Sequence, residues 1–250
     1  MVPQWTAPAG VQAWCSERQG GVSSAPYDTL NLGDHVGDDP AAVGENRRRL
    51  AATLQAHPVF LKQVHGTGVV RLARDTADGT EADACWTTER GVACTIMVAD
   101  CLPVLLADRA GRVVGAAHCG WRGLAGEGGH GALEALWQAI APHAGDPAHV
   151  IAWLGPCIGP TAFEVGPEVR TAFVQGDAAA QSCFRPHGEG KYLADLQGLA
   201  RRRLAALGIR EITGNDGSAP WCTVTESSRF FSHRRDRVSG RFAASVWLGR

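Results

Sequence analysis

Residues 91–123 read GVACTIMVADCLPVLLADRAGRVVGAAHCGWRG, and this stretch decides the fold class. It contains three short runs that are mostly apolar, at 92–99, 103–106 and 113–117, and polar or turn residues separate them. Apolar runs of four to eight residues between turns are typical of strands that are buried on both faces. We therefore predict three core strands here.

The rest of the chain adds strands and helices around these three runs. Further strand patterns lie at 59–64, 69–72, 150–154 and 242–248, and helical patterns lie at 41–54, 133–140, 167–175 and 192–207. There is no internal repeat, low-complexity linker or long charge run. We predict an α/β (mixed α+β) fold in one domain, residues 1–250, with helices packed on the sheet.

Composition narrows the class of protein. The 250 residues are 45% hydrophobic and 20% charged, and 24 Lys and Arg against 25 Asp and Glu leave a net charge of -1. Such a balance provides no general attraction for nucleic acid or an anionic membrane. No apolar run approaches the roughly 20 residues that span a bilayer, and no signal peptide pattern is present, so we expect a cytoplasmic protein in which most of the eight cysteines are free thiols.

Three candidate metal ligands stand where apolar runs stop. His65 follows 60–64, Cys101 follows 95–100, and His118 follows 113–117. Two imidazoles and a thiolate suit zinc, and three protein ligands leave a fourth position open for water or substrate. The alternative from spacing alone is that each residue only packs in the core, because no Cys-x-x-Cys or His-Glu-x-x-His motif is present.

The residues around these three positions resemble the laccase-domain, or YfiH-like, family, whose members are also described as purine nucleoside phosphorylases. The matching motifs occur in the family's order over nearly the whole chain: Asn31-Leu32-Gly33, Glu45-Asn46-Arg47, Lys62-Gln63-Val64-His65-Gly66, Ala99-Asp100-Cys101-Leu102-Pro103, His118-Cys119-Gly120-Trp121-Arg122-Gly123, Gly155-Pro156-Cys157-Ile158-Gly159, Phe163-Glu164-Val165-Gly166 and Phe231-Ser232-His233-Arg234-Arg235-Asp236.

The resemblance implies a layered sandwich with a mixed β-sheet core flanked by helices. It also implies that His65, Cys101 and His118 bind Zn²⁺, or copper at the same site, and that these residues and Asp100 are catalytic. The sequence differs from the family pattern at two positions. Cys119, next to His118, replaces the usual Ala, and His233, near the C-terminus, replaces the usual Tyr. Strand alternation should point Cys119 away from the metal.

The resemblance also suggests which residues bind a purine nucleoside and phosphate. We expect Asn31, Arg47, Gln63 and Arg122 to bind substrate, with Arg47 and the backbone N–H groups near Gly120 meeting the phosphate. The alternatives are a solvated arginine on a helix for Arg47 and a tight turn for the segment around Arg122.

The sequence leaves the roles of several charged residues open. Asp100 would orient an imidazole or accept a proton, or it would face away from Cys101 and be structural. Glu164 is a second carboxylate to watch. For the C-terminal cluster of Arg234, Arg235 and Arg241 we favour structural pairing with Asp236 and other carboxylates over phosphate binding.

The implied activity is phosphorolysis of adenosine, inosine or methylthioadenosine by a monomer that binds neither nucleic acid nor membrane. Adenosine deamination is a second activity associated with the family, although the usual zinc deaminase motifs are missing. Copper-dependent phenol oxidation is a further alternative, but nine histidines without His-x-His do not suit a multicopper site. Amide hydrolysis with Cys101 as nucleophile and a zinc-stabilised binding module complete the alternatives.

Overall fold

The structure, a computed structural model, describes residues 1–249. The strands are β1 Val11–Cys15, β2 His57–Phe60, β3 Val69–Arg71, β4 Ala84–Thr87, β5 Val92–Val98, β6 Leu102–Asp108, β7 Val114–Cys119, β8 Val150–Leu154, β9 Glu164–Val165, β10 Phe184–His187, β11 Lys191–Ala194, β12 Glu211–Gly214 and β13 Phe242–Leu248. The helices are α1 Pro40–Leu54, α2 Trp121–Ala125, α3 Ala132–Ala144, α4 Pro167–Val174, α5 Leu196–Ala206 and α6 His233–Asp236. Short 3₁₀ turns occupy Pro147–His149, Ala178–Cys183 and Ala219–Trp221.

Two mixed sheets form the centre of the molecule. One has the order β1-β13-β5-β2, and the other has the order β12-β8-β6-β7-β4-β3. Both contain parallel and antiparallel pairs. A small antiparallel sheet, β10-β11-β9, lies apart from them. The predicted mixed α/β sandwich is confirmed, with two central sheets.

The alternating side chains of β6 explain why the sheets stack. Leu105 and Ala107 pack in a core shared with β5 and β13 of the facing sheet, including Ile96 and Phe242. Leu102, Val104 and Leu106 point the other way, against α3 and α5. A strand buried on both faces needs apolar residues throughout, which is why its sequence does not alternate with polar residues.

Helices cover the outer faces of both sheets. Leu50 and Leu54 of α1 pack on Met97 and Trp247 of the four-stranded sheet, and the α3 residues Leu133, Leu136 and Ile140 pack on the six-stranded sheet. The layers are therefore helix, sheet, sheet and helix. Within residues 1–249, no helix is both long and apolar enough to cross a membrane.

Three predicted boundaries differ clearly from the structure, and one of them is the end of the helix expected over 133–140, which extends to Ala144. The strand expected over 59–64 ends at Phe60, and the chain then leaves the sheet in the loop that carries His65. The helix expected over 192–207 begins only at Leu196, because residues up to Ala194 pair in β11. Asp195 caps the helix by accepting a hydrogen bond from Gly198 N at 2.7 Å, a signal present in the sequence.

Candidate metal centre

His65, Cys101 and His118 come together at one edge of the two central sheets. Their donor atoms all lie within 4.8 Å of one another, with 3.6 Å between His65 Nε2 and Cys101 Sγ. The imidazole centroids are 4.8 Å apart, and the rings are inclined at 68°. Two nitrogens and one sulfur this close can converge on one ion, so the donor set fits a metal such as zinc.

Each donor is positioned by a different element. His118 is buried within β7, whereas Cys101 lies in the connection that takes the chain from β5 in one sheet to β6 in the other. His65 lies in the loop after β2 with a left-handed φ of 62°. Only His118 therefore belongs to a strand, and the site depends on how two connections meet it.

Asp83, which immediately precedes β4, holds both histidines. Its Oδ1 accepts hydrogen bonds from His118 Nδ1 at 2.8 Å and from the backbone N of His65 at 2.9 Å. Its Oδ2 accepts from the backbone N of Gly66 at 2.7 Å and of Val64 at 3.1 Å. Because a carboxylate only accepts, Nδ1 of His118 carries the proton and Nε2 is left for a metal.

Asp83 was missed in the sequence analysis. The available signal was an acidic residue between two alanines at the start of a buried segment, which needs a partner when it is inside a fold. Burial raises the pKa of its carboxyl, but the hydrogen bonds from His118 and the backbone of Gly66 and Val64 outweigh burial and hold the pKa below its usual range. Asp83 is therefore ionised at neutral pH.

Cys101 and His118 shift each other's protonation. Burial raises the pKa of the Cys101 thiol, but His118 and His65 lower it by more, to about 6. Burial lowers the pKa of His118, but the Cys101 thiolate and Asp83 raise it to about 9. Cys101 is thus a thiolate at neutral pH, which is the form that binds metals and also the form that acts as a nucleophile.

Gly120 leaves the space in which the donors meet. A Cβ at this position would lie 2.8 Å from His65 Cδ2 and 3.1 Å from Cys101 Sγ. The backbone of Gly120, with φ of -66° and ψ of 158°, is open to any residue, so only space requires glycine here.

We expect Gly120→Ala to weaken metal binding by on the order of tenfold, because the methyl group must displace His65 or Cys101 from its present place. Metal affinity is measured by competition with a coloured chelator. Gly44→Ala in α1 is the matched control, since a Cβ there meets nothing within 4 Å. Equal metal affinity in the two variants would show that the donors do not need this space.

The three donors open into a cavity of about 400 Å³. This volume lies within the range of sites for small organic ligands. Two groups of side chains form most of the remaining cavity wall. Apolar side chains form one group, namely Met97, Val98, Trp121, Ile158, Phe163 and Leu196, and cationic or imidazole side chains form the other, namely His35, Arg122, His233, Arg234, Arg237 and Arg241.

Three expected substrate or catalytic residues also line the cavity. The side chain of Gln63 is held by the backbone of Met97, since Nε2 donates to Met97 O at 2.8 Å and Oε1 accepts from Met97 N at 2.9 Å. Arg122 lies over the ring of Trp121, 4.4 Å from its centroid. Asp100 accepts hydrogen bonds from Thr223 Oγ1 and the backbone N of Arg234, both at 2.6 Å.

Asp100 is therefore occupied in holding the C-terminal segment beside the cavity. It makes no hydrogen bond to either histidine, and Asp83 has the orienting role that we had considered for Asp100. The left-handed φ of 92° at Asp100 turns the chain between the two sheets.

Asn31 and Arg47 lie outside the cavity lining. Asn31 is buried, and its Oδ1 accepts from the backbone N of Gly33 and Arg241 at 2.9 and 2.8 Å. Arg47 lies over the ring of Phe60 and forms ion pairs with Asp34 at 3.2 Å and Asp78 at 3.5 Å. Both residues organise the loop that forms one wall of the cavity.

The C-terminal arginines divide between structure and cavity. Arg235 pairs with Asp236 at 2.7 Å and donates to the backbone O of Thr223 and Phe230, as the structural interpretation expected. Arg234 and Arg241 line the cavity instead. Glu164 pairs with Lys191 at 2.6 Å outside it.

The two departures from the family pattern also take different places. Cys119 is buried in the core between β7 and α3, on the side away from the donors, as strand alternation predicted. His233, the first residue of α6, lines the cavity.

Comparison with known proteins matches nearly the whole chain. The sequence model of a family described as "Multi-copper polyphenol oxidoreductase laccase" matches residues 12–249. Purine nucleoside phosphorylase YfiH of Escherichia coli strain K12 is 50% identical over 250 residues, which cover 99% of this chain and 98% of that protein. Purine nucleoside phosphorylase PA4543 of Pseudomonas aeruginosa is 51% identical over 249 residues, with the same two coverages.

Solved structures share the fold. Protein NMB0706 of Neisseria meningitidis matches with a TM-score of 0.92 and 43% identity over 100% of this chain and 99% of that one. The protein YfiH of Bacillus licheniformis, described as hypothetical, matches with a TM-score of 0.85 and 30% identity over 95% of this chain and 92% of that one.

Proposed function

This chain belongs to the multi-copper polyphenol oxidoreductase laccase family, and from that premise we propose that it is a zinc-dependent purine nucleoside phosphorylase. We propose adenosine, inosine and methylthioadenosine as its substrates. The observation that carries the proposal is the cavity beside the three donors, which combines an apolar wall with arginines. The apolar wall suits the purine and sugar of a nucleoside, and the arginines suit the negative charge of phosphate.

The reaction joins phosphate to the sugar as the base departs. An oxygen of hydrogen phosphate forms a bond to C1′ of the ribose, and the bond from C1′ to the purine nitrogen breaks. The electron pair of that bond leaves with the purine, and the proton of the hydrogen phosphate ends on the purine. The arginines hold the anion next to the sugar, so two reactants become one bound assembly.

His65, Cys101 and His118 are the proposed zinc ligands, with Asp83 behind both histidines. Bound there, zinc supplies a Lewis acid beside the substrate. Gln63 and Arg122 are proposed to contact the nucleoside, and Asn31 and Arg47 act through the loop that they hold. Asp100 keeps the Arg234 segment against the cavity.

Adenosine deamination is a proposed additional activity of the same cavity. It replaces the amino group of the purine with an oxygen from water and releases ammonia, so it leaves the ribose attached. Cysteine-type amide hydrolysis is the second candidate function, because Cys101 and His118 form a thiolate and imidazolium pair in the absence of metal. Metal bound to Cys101 suppresses that activity.

The test is base release from inosine and adenosine by metal-loaded protein, with and without phosphate. We expect free purine to appear only when phosphate is present, with one ribose 1-phosphate for each base. Base release without phosphate would mean hydrolysis, and conversion of adenosine to inosine with ammonia would mean deamination alone. No turnover of either nucleoside would reject the proposal.

A further inference from the structure

We propose that Arg241, together with Arg237 and His35, forms the subsite that binds the phosphate. This inference rests on the proposed phosphorolysis, but the anion subsite has a test of its own. It also moves the phosphate away from Arg47, which the sequence had suggested as the contact.

Arg241 is a partly buried guanidinium that lines the cavity and is fixed in place. Its Nη1 donates to the backbone O of Ser239 at 2.8 Å and of Gly240 at 3.1 Å, and its backbone N donates to Asn31 Oδ1 at 2.8 Å. A Cβ at Gly33 would lie 2.8 Å from Cγ of Arg241, so the backbone at Gly33 packs closely against the aliphatic part of the arginine side chain. The two carbonyl oxygens accept hydrogen bonds from one nitrogen of the guanidinium group. Because carbonyl groups are uncharged, they do not neutralise its positive charge.

The arginines of the cavity wall differ from Arg47 in their ion pairs. Within residues 1–249, Arg122, Arg234, Arg237 and Arg241 form no ion pair, whereas Arg47 is neutralised by Asp34 and Asp78. A charge taken out of water without a partner is costly. An anion in the cavity would remove that cost at Arg241.

The acidic groups near Arg241 do not take the place of an anion. Asp100 and the Cys101 thiolate of the cavity wall both favour the charged form of Arg241, but within residues 1–249 neither accepts a hydrogen bond from its guanidinium. Both oxygens of Asp100 accept hydrogen bonds from Thr223 and from the backbone of Arg234 instead. Arg47 shows the contrast, since two carboxylates meet its guanidinium outside the cavity. Arg241 therefore keeps a positive charge that is available to an anion in the cavity, whereas Arg47 does not.

His35 and Arg237 complete the subsite. Both line the same cavity, and the side chain of Arg237 makes no hydrogen bond within residues 1–249. Burial lowers the pKa of His35, and the charge of Arg241 lowers it further, whereas Asp34, whose Oδ1 lies 3.5 Å from His35 Nδ1, raises it. An imidazole and two guanidiniums offer several N–H donors to the oxygens of one phosphate.

The experiment compares Arg241→Gln with wild type in phosphorolysis and in direct binding of inorganic phosphate by titration calorimetry. We expect the KM for phosphate to rise about 10- to 100-fold, as for loss of a charged hydrogen-bond donor, with a change of less than about twofold in the KM for inosine. Arg241→Lys should recover part of the lost phosphate affinity, because lysine keeps the positive charge but lacks the planar set of N–H donors of a guanidinium group. Metal content and melting temperature verify that each variant is folded and loaded.

Arg170→Gln is the matched control. Arg170 also lacks a carboxylate partner within residues 1–249, but it lies over the ring of Tyr192, outside the cavity. Calorimetry on metal-free Cys101→Ala protein separates phosphate held by the arginines from phosphate held by the metal, and we expect the metal-free protein to keep phosphate binding.

The outcomes separate the two proposals. Phosphorolysis with an unchanged phosphate KM in Arg241→Gln would overturn the subsite and leave the proposed function standing. Phosphate binding that Arg241→Gln abolishes, in a protein that does not cleave nucleosides, would support the subsite and overturn the function. Loss of phosphate binding in Cys101→Ala alone would assign the anion to the metal and overturn the subsite.

Discussion

Cys101→Ala should lose its bound metal and with it the turnover of nucleosides, while the chain stays folded. Cys101 contributes the only sulfur among three donors, and its pKa of about 6 makes it a thiolate at neutral pH without help from a metal. Substitution of a residue that hydrogen-bonds a metal ligand typically lowers metal affinity about 10- to 100-fold. We expect a larger loss when the ligand itself is removed. Metal analysis after dialysis and melting temperature are the measurements.

The matched control for this variant is Cys119→Ala. Cys119 is one residue from His118, but it is buried in the core away from the donors. We expect a loss of about 1 kcal/mol in the free energy of unfolding from the small cavity and no change in metal content. Stoichiometric metal in dialysed Cys101→Ala protein would remove Cys101 from the ligand set.

Asp83→Asn should reduce both the metal affinity and the stability. The carboxylate accepts four hydrogen bonds, three from the backbone of the His65 loop and one from His118, and an amide nitrogen in place of one oxygen would face donors. We expect metal affinity to fall about 10- to 100-fold, because the His118 imidazole loses the partner that orients it and the loop that carries His65 loses its backbone anchor. The free energy of unfolding should fall by on the order of 3 kcal/mol, because four donors lose a charged acceptor that is itself fully buried.

Asp108→Asn provides the comparison that separates the two effects. Asp108 is also fully buried, and it accepts from the backbone N of Arg112 at 2.6 Å and of Val113 at 2.9 Å. It lies at the end of β6 opposite Cys101, so we expect a similar loss of stability with wild-type metal affinity. Equal metal affinity in the two variants would show that Asp83 supports the fold and not the metal site.

Local patterns predicted the central strands well because burial on both faces leaves a signal in the sequence itself. β5, β6 and β7 were predicted within a few residues, since each is an apolar run between turns. The short strand β11 was instead predicted as the start of a helix. Its residues pair with β10 and β9, and such pairing depends on partners that no local window contains.

The candidate metal donors could be chosen from the sequence because their chemistry belongs to the residue types. Histidine and cysteine are side chains that zinc binds readily, and the family motifs around His65, Cys101 and His118 indicated which of nine histidines and eight cysteines to choose. The single carboxylate that holds both histidines was not chosen. Asp83 is 18 residues from His65 and 35 residues from His118. The pairing of β4 with β7 brings it to His118, and the pairing of β3 with β4 brings it to the loop that carries His65.

The sequence by itself determined the layered α/β class and the donor types, because hydrophobic periodicity and side-chain chemistry are local properties. Tertiary structure alone decided which charges remain available. The sequence favoured Arg47 over Arg241 as the anion contact. In the structure Asp34 and Asp78 neutralise Arg47, while the guanidinium of Arg241 donates to the carbonyls of Ser239 and Gly240 and forms no ion pair within residues 1–249. The charge of an arginine is intrinsic, whereas its freedom to bind an anion depends on which carboxylates the fold places next to it.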